Sequence, residues 1–93
     1  MEKNMSTILE ELNTIKDTAE DRNVSVMADA VRWGYGSLRT NQCLESYLRH
    51  SDNLPALIAK ITTSWDGNDY LSGALWTANR FFDAPYGETP QLF

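Results

Sequence analysis

Apolar residues in this chain recur every three or four positions and nowhere alternate with period two over the length of a strand, and that pattern restricts the fold to packed helices. Ile8, Leu12, Ile15 and Ala19 follow one another at helical spacing, which puts them on one face of a helix over about residues 6–21. Thr7 with Glu10 three positions later has the form of a capping box at its start. The stripe is narrow, and Glu10, Glu11, Lys16, Asp17 and Glu20 face elsewhere. Such a helix suits the edge of a bundle or a seam between subunits.

Ser25 can cap a second helix with Met27, Ala30 and Val31 on its inner face, continued by Tyr35 and Leu38. Gly34 and Gly36 interrupt it. Each costs a helix interior about 1 kcal/mol relative to Ala, so the pair predicts a kink, a break, or a close approach by another backbone or a ligand. Leu44, Tyr47 and Leu48 mark a third helical stretch over about 41–50, capped by Thr40 or Asn41. Spacing alone leaves open whether 26–50 is one kinked helix or two. After the polar junction Ser51, Asp52 and Asn53, Pro55 falls in the first turn of a helix carrying Leu54, Leu57, Ile58, Ile61 and Trp65 to about residue 65. Asp66-Gly67-Asn68-Asp69 is the strongest turn signal, with Gly67 suited to positive φ and Asp69 to capping the next helix. Leu71, Ala74, Leu75, Ala78, Phe81 and Phe82 then give a last helix over about 70–83 a wide apolar face, marking it as the core helix. From Ala84 to Phe93 two prolines and a glycine end the helical pattern. The expected fold is all-α: one domain over residues 1–93, a compact bundle of four or five short helices with an extended C-terminal tail over about 84–93.

A length of 93 residues fits one small domain. No apolar run approaches the roughly 18 residues of a membrane span, and Met1-Glu2-Lys3-Asn4 lacks the basic-then-apolar order of a secretory signal. With a lone Cys43 no internal disulfide can form. These features predict a cytoplasmic protein with no membrane contact. The net charge of −5 argues against direct nucleic-acid binding, which requires Lys and Arg to neutralise phosphates. The charge is also uneven: residues 1–22 hold six acids and three bases, 23–65 three acids and four bases, and 66–93 four acids and one base. A DNA mimic would need dense acidic rows, whereas here Lys3, Lys16, Arg22 and Arg80 dilute the acids.

Residues suited to catalysis are badly placed for it. Cys43 and His50, seven positions apart on one helix, stand about 10 Å apart along its axis, too far for a nucleophile–base pair. Cys43 then reads as a small core residue and His50 as a cation near a helix C-terminus. One His and one Cys cannot build a zinc cluster. Asp66 and Asn68 begin like a calcium loop, which fails at Tyr70, Leu71 and Thr77. No catalytic residue, metal or cofactor is expected.

The unusual cluster is Arg32, Trp33, Tyr35 and Arg39, two cations and two aromatics around Gly34 and Gly36. Such a set can stack a base and hold a phosphate, or Trp33 and Tyr35 can pack in the core while the glycines let two helices approach. The tail, with Tyr86 and the terminal Leu92 and Phe93, offers apolar groups with no helix to hide them. The order Leu71, Ala74, Ala78, Arg80 and Pro85 in and after the last helix resembles phage sponge proteins that sequester cyclic oligonucleotides and block bacterial CBASS signalling. The resemblance covers about fifteen residues, and Pro55 and the Asp66-Gly67 turn depart from the long helices of that family.

Two functions are expected on these grounds. The first is a small acidic interaction protein that binds and inhibits or regulates a macromolecular, chiefly protein, partner. Ten aromatics, three of them Trp, are more anchor-type side chains than so small a core easily hides. Small size and acidity suit an inhibitor encoded by a phage or mobile element, acting in the host cytoplasm. The second is a nucleotide-binding sponge or sensor in which Arg32, Arg39 and Arg80 meet phosphates and Trp33 or Tyr35 stacks on the base. The narrow first stripe and the apolar tail both predict a homo-oligomer.

Overall fold

Helices start in this chain where a polar side chain can take up a backbone N–H of the first turn. The computed structural model describes residues 3–67 and 71–82, and places in them α1 (Met5–Thr18), α2 (Arg22–Gly36), α3 (Gln42–His50), α4 (Leu54–Thr62) and α5 (Leu71–Phe82). Asn4, Asp21, Asn41 and Asn53 cap the first four, accepting from the N–H groups of Thr7, Asn23, Leu44 and Ala56 at 2.7–3.1 Å. Two expected caps are thereby corrected. Thr7 lies inside α1 and donates its N–H to Asn4 at 2.9 Å. Ser25 lies inside α2, and its hydroxyl instead donates to the Lys16 carbonyl at 2.6 Å, satisfying an acceptor of α1's last turn.

The helix ends are also earlier than the apolar spacing implies. Ala19 is already extended (φ −65°, ψ 130°), so α1 stops at Thr18 and the chain reaches Asp21 in position to cap α2. After Thr62 the hydrogen bonds tighten to three-residue spacing, Ser64 N–H to Ile61 and Trp65 N–H to Thr62, leaving Trp65 half-buried beyond the helix rather than within it. Residues 26–50 form two separate helices, parted by the turn that comes after Gly36. The last helix spans Leu71–Phe82, while its expected ends at 70 and 83, the Asp69 cap and the tail over 84–93 lie outside the described residues.

The core fills from the faces the spacing marks. Ile8, Leu12 and Ile15 come from α1, Leu44 and Leu48 from α3, Leu54, Leu57, Ile58 and Ile61 from α4, and Ala74, Leu75, Ala78 and Phe82 from α5. Burying a Leu or Ile side chain in this way contributes about 1.5–3 kcal/mol. α2 is the hub, burying Met27, Ala28, Ala30, Val31 and Tyr35 and packing against α1, α4 and α5. Ala28, Ala30, Ala74 and Ala78 at these helix–helix positions let the axes come close. At Gly34 the approach is closer still: an added Cβ would stand 2.5 Å from Leu75 Cδ1 and 3.2 Å from its Cγ. Gly34 is therefore where α5 seats on α2, and the close neighbour is a core leucine. Tyr47 and Phe82, with ring centroids 4.6 Å apart, join α3 to the end of α5. Two residues expected inside lie outside: Cys43 is exposed on α3, and Leu38 projects from the turn after α2. Among the described residues there is no strand, and no helix is long and apolar enough to cross a membrane.

Candidate functional site at the seam of helices two and five

Backbone hydrogen bonds from three successive N–H groups build the turn that ends α2. Ser37 N–H donates to the Trp33 carbonyl at 3.0 Å, Leu38 N–H to Tyr35 at 3.2 Å, and Arg39 N–H reaches back to Gly34 at 2.7 Å. The last two make a Schellman motif, which requires a left-handed residue between them and usually places glycine there. Here the residue is Leu38, at φ 57° and 78% exposed. Arg39 then folds over the neighbouring indole, with its Cζ 5.0 Å from the centroid of Trp33, itself 40% exposed.

Asn79 of α5 ties this turn down. Its Oδ1 accepts from Asn41 N–H at 3.0 Å, its Nδ2 donates to the Arg39 carbonyl at 3.4 Å, and its own carbonyl accepts from Asn41 Nδ2 at 2.8 Å. The next residue, Arg80, lies over Trp76 one helical turn earlier, Cζ to centroid 5.2 Å. Trp76 is 61% exposed. The same pattern thus occurs on both helices. Trp33 and Trp76 are the sequence neighbours of Gly34 and Leu75, the tightest contact between α2 and α5, while Arg39 and Arg80 flank the Asn79 bonds. Beside Trp76 and Arg80 a hollow of about 380 Å³ opens toward Ser64 and Asp66.

The aromatic ring beneath each sets these two arginines apart, since Arg22 and Lys60 also make no ion pair among the described residues. Lys3, Lys16, Arg32 and Arg49 pair with carboxylates at 2.8–3.8 Å. Among the described residues Arg39 and Arg80 make no ion pair, so their guanidinium edges remain open to solvent above an aromatic face.

Of the residues singled out in the sequence, Trp33, Arg39 and Arg80 come to the seam. Tyr35 does not: it is 1% exposed in the core, its ring taken up by packing, so it cannot stack on a ligand. Arg32 is held by Asp29 at 2.8 Å on its own helix, with Lys16 on the same carboxylate, which withdraws it from an anion site. Tyr86, Leu92 and Phe93 lie outside the described residues. Sequence reasoning missed Leu38 and Trp76 as site residues. Trp76 falls off the apolar stripe of its helix with Arg four positions later, a spacing that brings the two side chains together. Leu38 was hidden because helical spacing from Val31 and Tyr35 puts it on the inner face only if α2 continues, and α2 ends at Gly36.

Elsewhere, Cys43 and His50 are near opposite ends of α3. Among the described residues no group of three or more His, Cys, Asp or Glu is placed to hold a metal ion. A larger hollow, about 460 Å³, lies between α3 and α4 and is lined by Tyr47, His50 and Leu57 with the Ser51 to Asn53 junction. No family model, curated protein or solved structure matches the chain.

Proposed function

We propose that this chain is a non-enzymatic interaction protein that binds a macromolecular partner, and so inhibits or regulates it, through the seam of α2 and α5. The observation that carries this reading is the pair of exposed tryptophans, each stacked by an arginine, at the place where the two helices are tied together. Trp and Arg are the side chains most enriched among residues that dominate binding energy, and a rigid scaffold beneath them lowers the entropy lost on docking. Trp33 and Trp76 both expose large apolar area, so removing them takes little from the core. The test is affinity capture from the native host with the unaltered chain and with a Trp33→Ala, Trp76→Ala double variant, followed by quantitative mass spectrometry. The partner should fall at least about tenfold in the variant while the melting temperature holds. Equal recovery by both proteins removes the seam from the account.

A second reading, a nucleotide sponge or sensor, draws on the hollow beside Trp76 and Arg80, whose volume is within the range of small-ligand sites. It loses Tyr35 and Arg32 from its expected constellation. Thermal unfolding against a panel of nucleotides separates the two, because a ligand specific for the folded state raises the melting temperature. No shift with any nucleotide eliminates the sponge. Self-association is a related proposal, and light scattering decides it: a mass near 10.6 kDa is the monomer.

A further inference from the structure

We propose that Leu38 is a docking anchor kept at the expense of stability, and that the seam around it receives an acidic protein segment. In this arrangement carboxylates of the partner reach Arg39 and Arg80 while an apolar pocket of the partner encloses Leu38. The inference rests on the interaction-protein reading and gives that partner its chemistry.

Three observations converge on Leu38. Its φ of 57° is a conformation that an L side chain occupies under strain and glycine occupies freely. The turn needs only the backbone of this residue, since its bonds run from the N–H groups of Leu38 and Arg39 to the carbonyls of Tyr35 and Gly34. Finally, at 78% exposure the isobutyl group gains almost nothing from packing. A residue that is strained, apolar and unburied has no folding role that glycine would not fill better, and strain of this kind gathers at binding sites. Its immediate neighbour is Arg39, held over Trp33, so the anchor stands beside a cation and an aromatic face.

Charge selects the partner. Arg39 and Arg80 have no carboxylate among the described residues, although the whole chain carries an excess of five negative charges. A nucleic-acid backbone carries a phosphate at every nucleotide, a row of charge that two arginines on so acidic a chain do not neutralise. Two copies meeting seam to seam would bring together four arginines that have no carboxylate among the described residues, which is unfavourable. A protein segment with a few Asp or Glu around apolar groups satisfies both the arginines and the exposed Trp33, Leu38 and Trp76.

The probe is a random peptide display library selected on the immobilised full chain, with synthetic peptides of the resulting consensus titrated by tryptophan fluorescence. The expected consensus combines Asp or Glu with apolar residues. Leu38→Gly and Arg39→Glu should each weaken binding at least about tenfold, while Leu38→Gly raises the melting temperature by roughly 4 °C. The inference is overturned if no consensus is enriched, if the consensus lacks acids, if Leu38→Gly binds as well as the unaltered chain, or if that variant melts lower. In those cases peptides still lost on Trp33→Ala, Trp76→Ala substitution leave the seam itself standing, whereas peptides indifferent to both tryptophans remove the seam as well. A dimer seen by light scattering that dissociates on Leu38→Gly substitution assigns the seam to a second copy, and also overturns the acidic partner.

Discussion

The turns after α2 and after α4 both carry a residue at positive φ, Leu38 at 57° in the first and Gly67 at 84° in the second. At Gly67 residue and backbone agree: a glycine occupies the conformation glycine favours, and among the described residues nothing lies within 4 Å of where a Cβ would be. At Leu38 they conflict, and the conflict is relieved neither by burial nor by a hydrogen bond from the side chain. The first turn is nevertheless anchored to α5 through Asn79 and seated on the Gly34–Leu75 contact. One turn is shaped for the chain's own folding. The other is a rigid mount that holds a strained apolar side chain out into solvent.

Substitutions can break this contrast in stages. Gly34→Val attacks the mount directly, since even one added carbon meets Leu75 at 2.5 Å; overpacking of that kind should cost about 3 kcal/mol in chemical denaturation. Asn79→Ala should cost about 2 kcal/mol, because it leaves the Asn41 N–H without its acceptor and frees the Arg39 carbonyl. Gly67→Ala should cost about 1 kcal/mol from backbone strain alone, there being space for the methyl group. Trp76→Ala should change stability by no more than about 0.5 kcal/mol, as expected for an exposed position. A large loss at Trp76 would mean that its stack with Arg80 supports the fold, and would weaken its assignment to a partner.

How far the sequence foretold this molecule depended on what set each feature. Helical faces were legible because burial imposes a period: Ile8, Leu12, Met27, Val31, Leu44, Leu48, Ile58 and Ala78 all lie inside as spaced. Caps were less legible, since Asn4 and Thr7 both fit the start of α1 and only the backbone register decides between them. Gly34 and Gly36 were marked together for a kink, a break or a close approach by a backbone or ligand; the close neighbour is at Gly34 alone and is the side chain of Leu75, 41 positions away in sequence, to which no local pattern points. Trp33, Arg39 and Arg80 were singled out from composition and stand exposed, whereas Tyr35 was read both as a core residue and as a stacking one, because an aromatic beside glycines suits either, and its burial bears out the first. Cys43 was misplaced for a similar reason: a small thiol fits inside or outside, and its position on α3 points it outward. Leu38 was read onto the inner face and stands outside, because its place depends on a backbone angle that appears only once the end of α2 is known.

Urea unfolding of Leu38→Gly beside the unaltered chain tests the central claim most directly. Relief of about 1–2 kcal/mol of strain exceeds the roughly 0.5–1 kcal/mol of extra unfolded-state entropy that glycine brings. The account therefore predicts a midpoint shifted upward, by a net gain of about 0.5–1 kcal/mol, at an unchanged m-value. A midpoint shifted downward would show that Leu38 supports the fold, and would contradict its assignment to a partner.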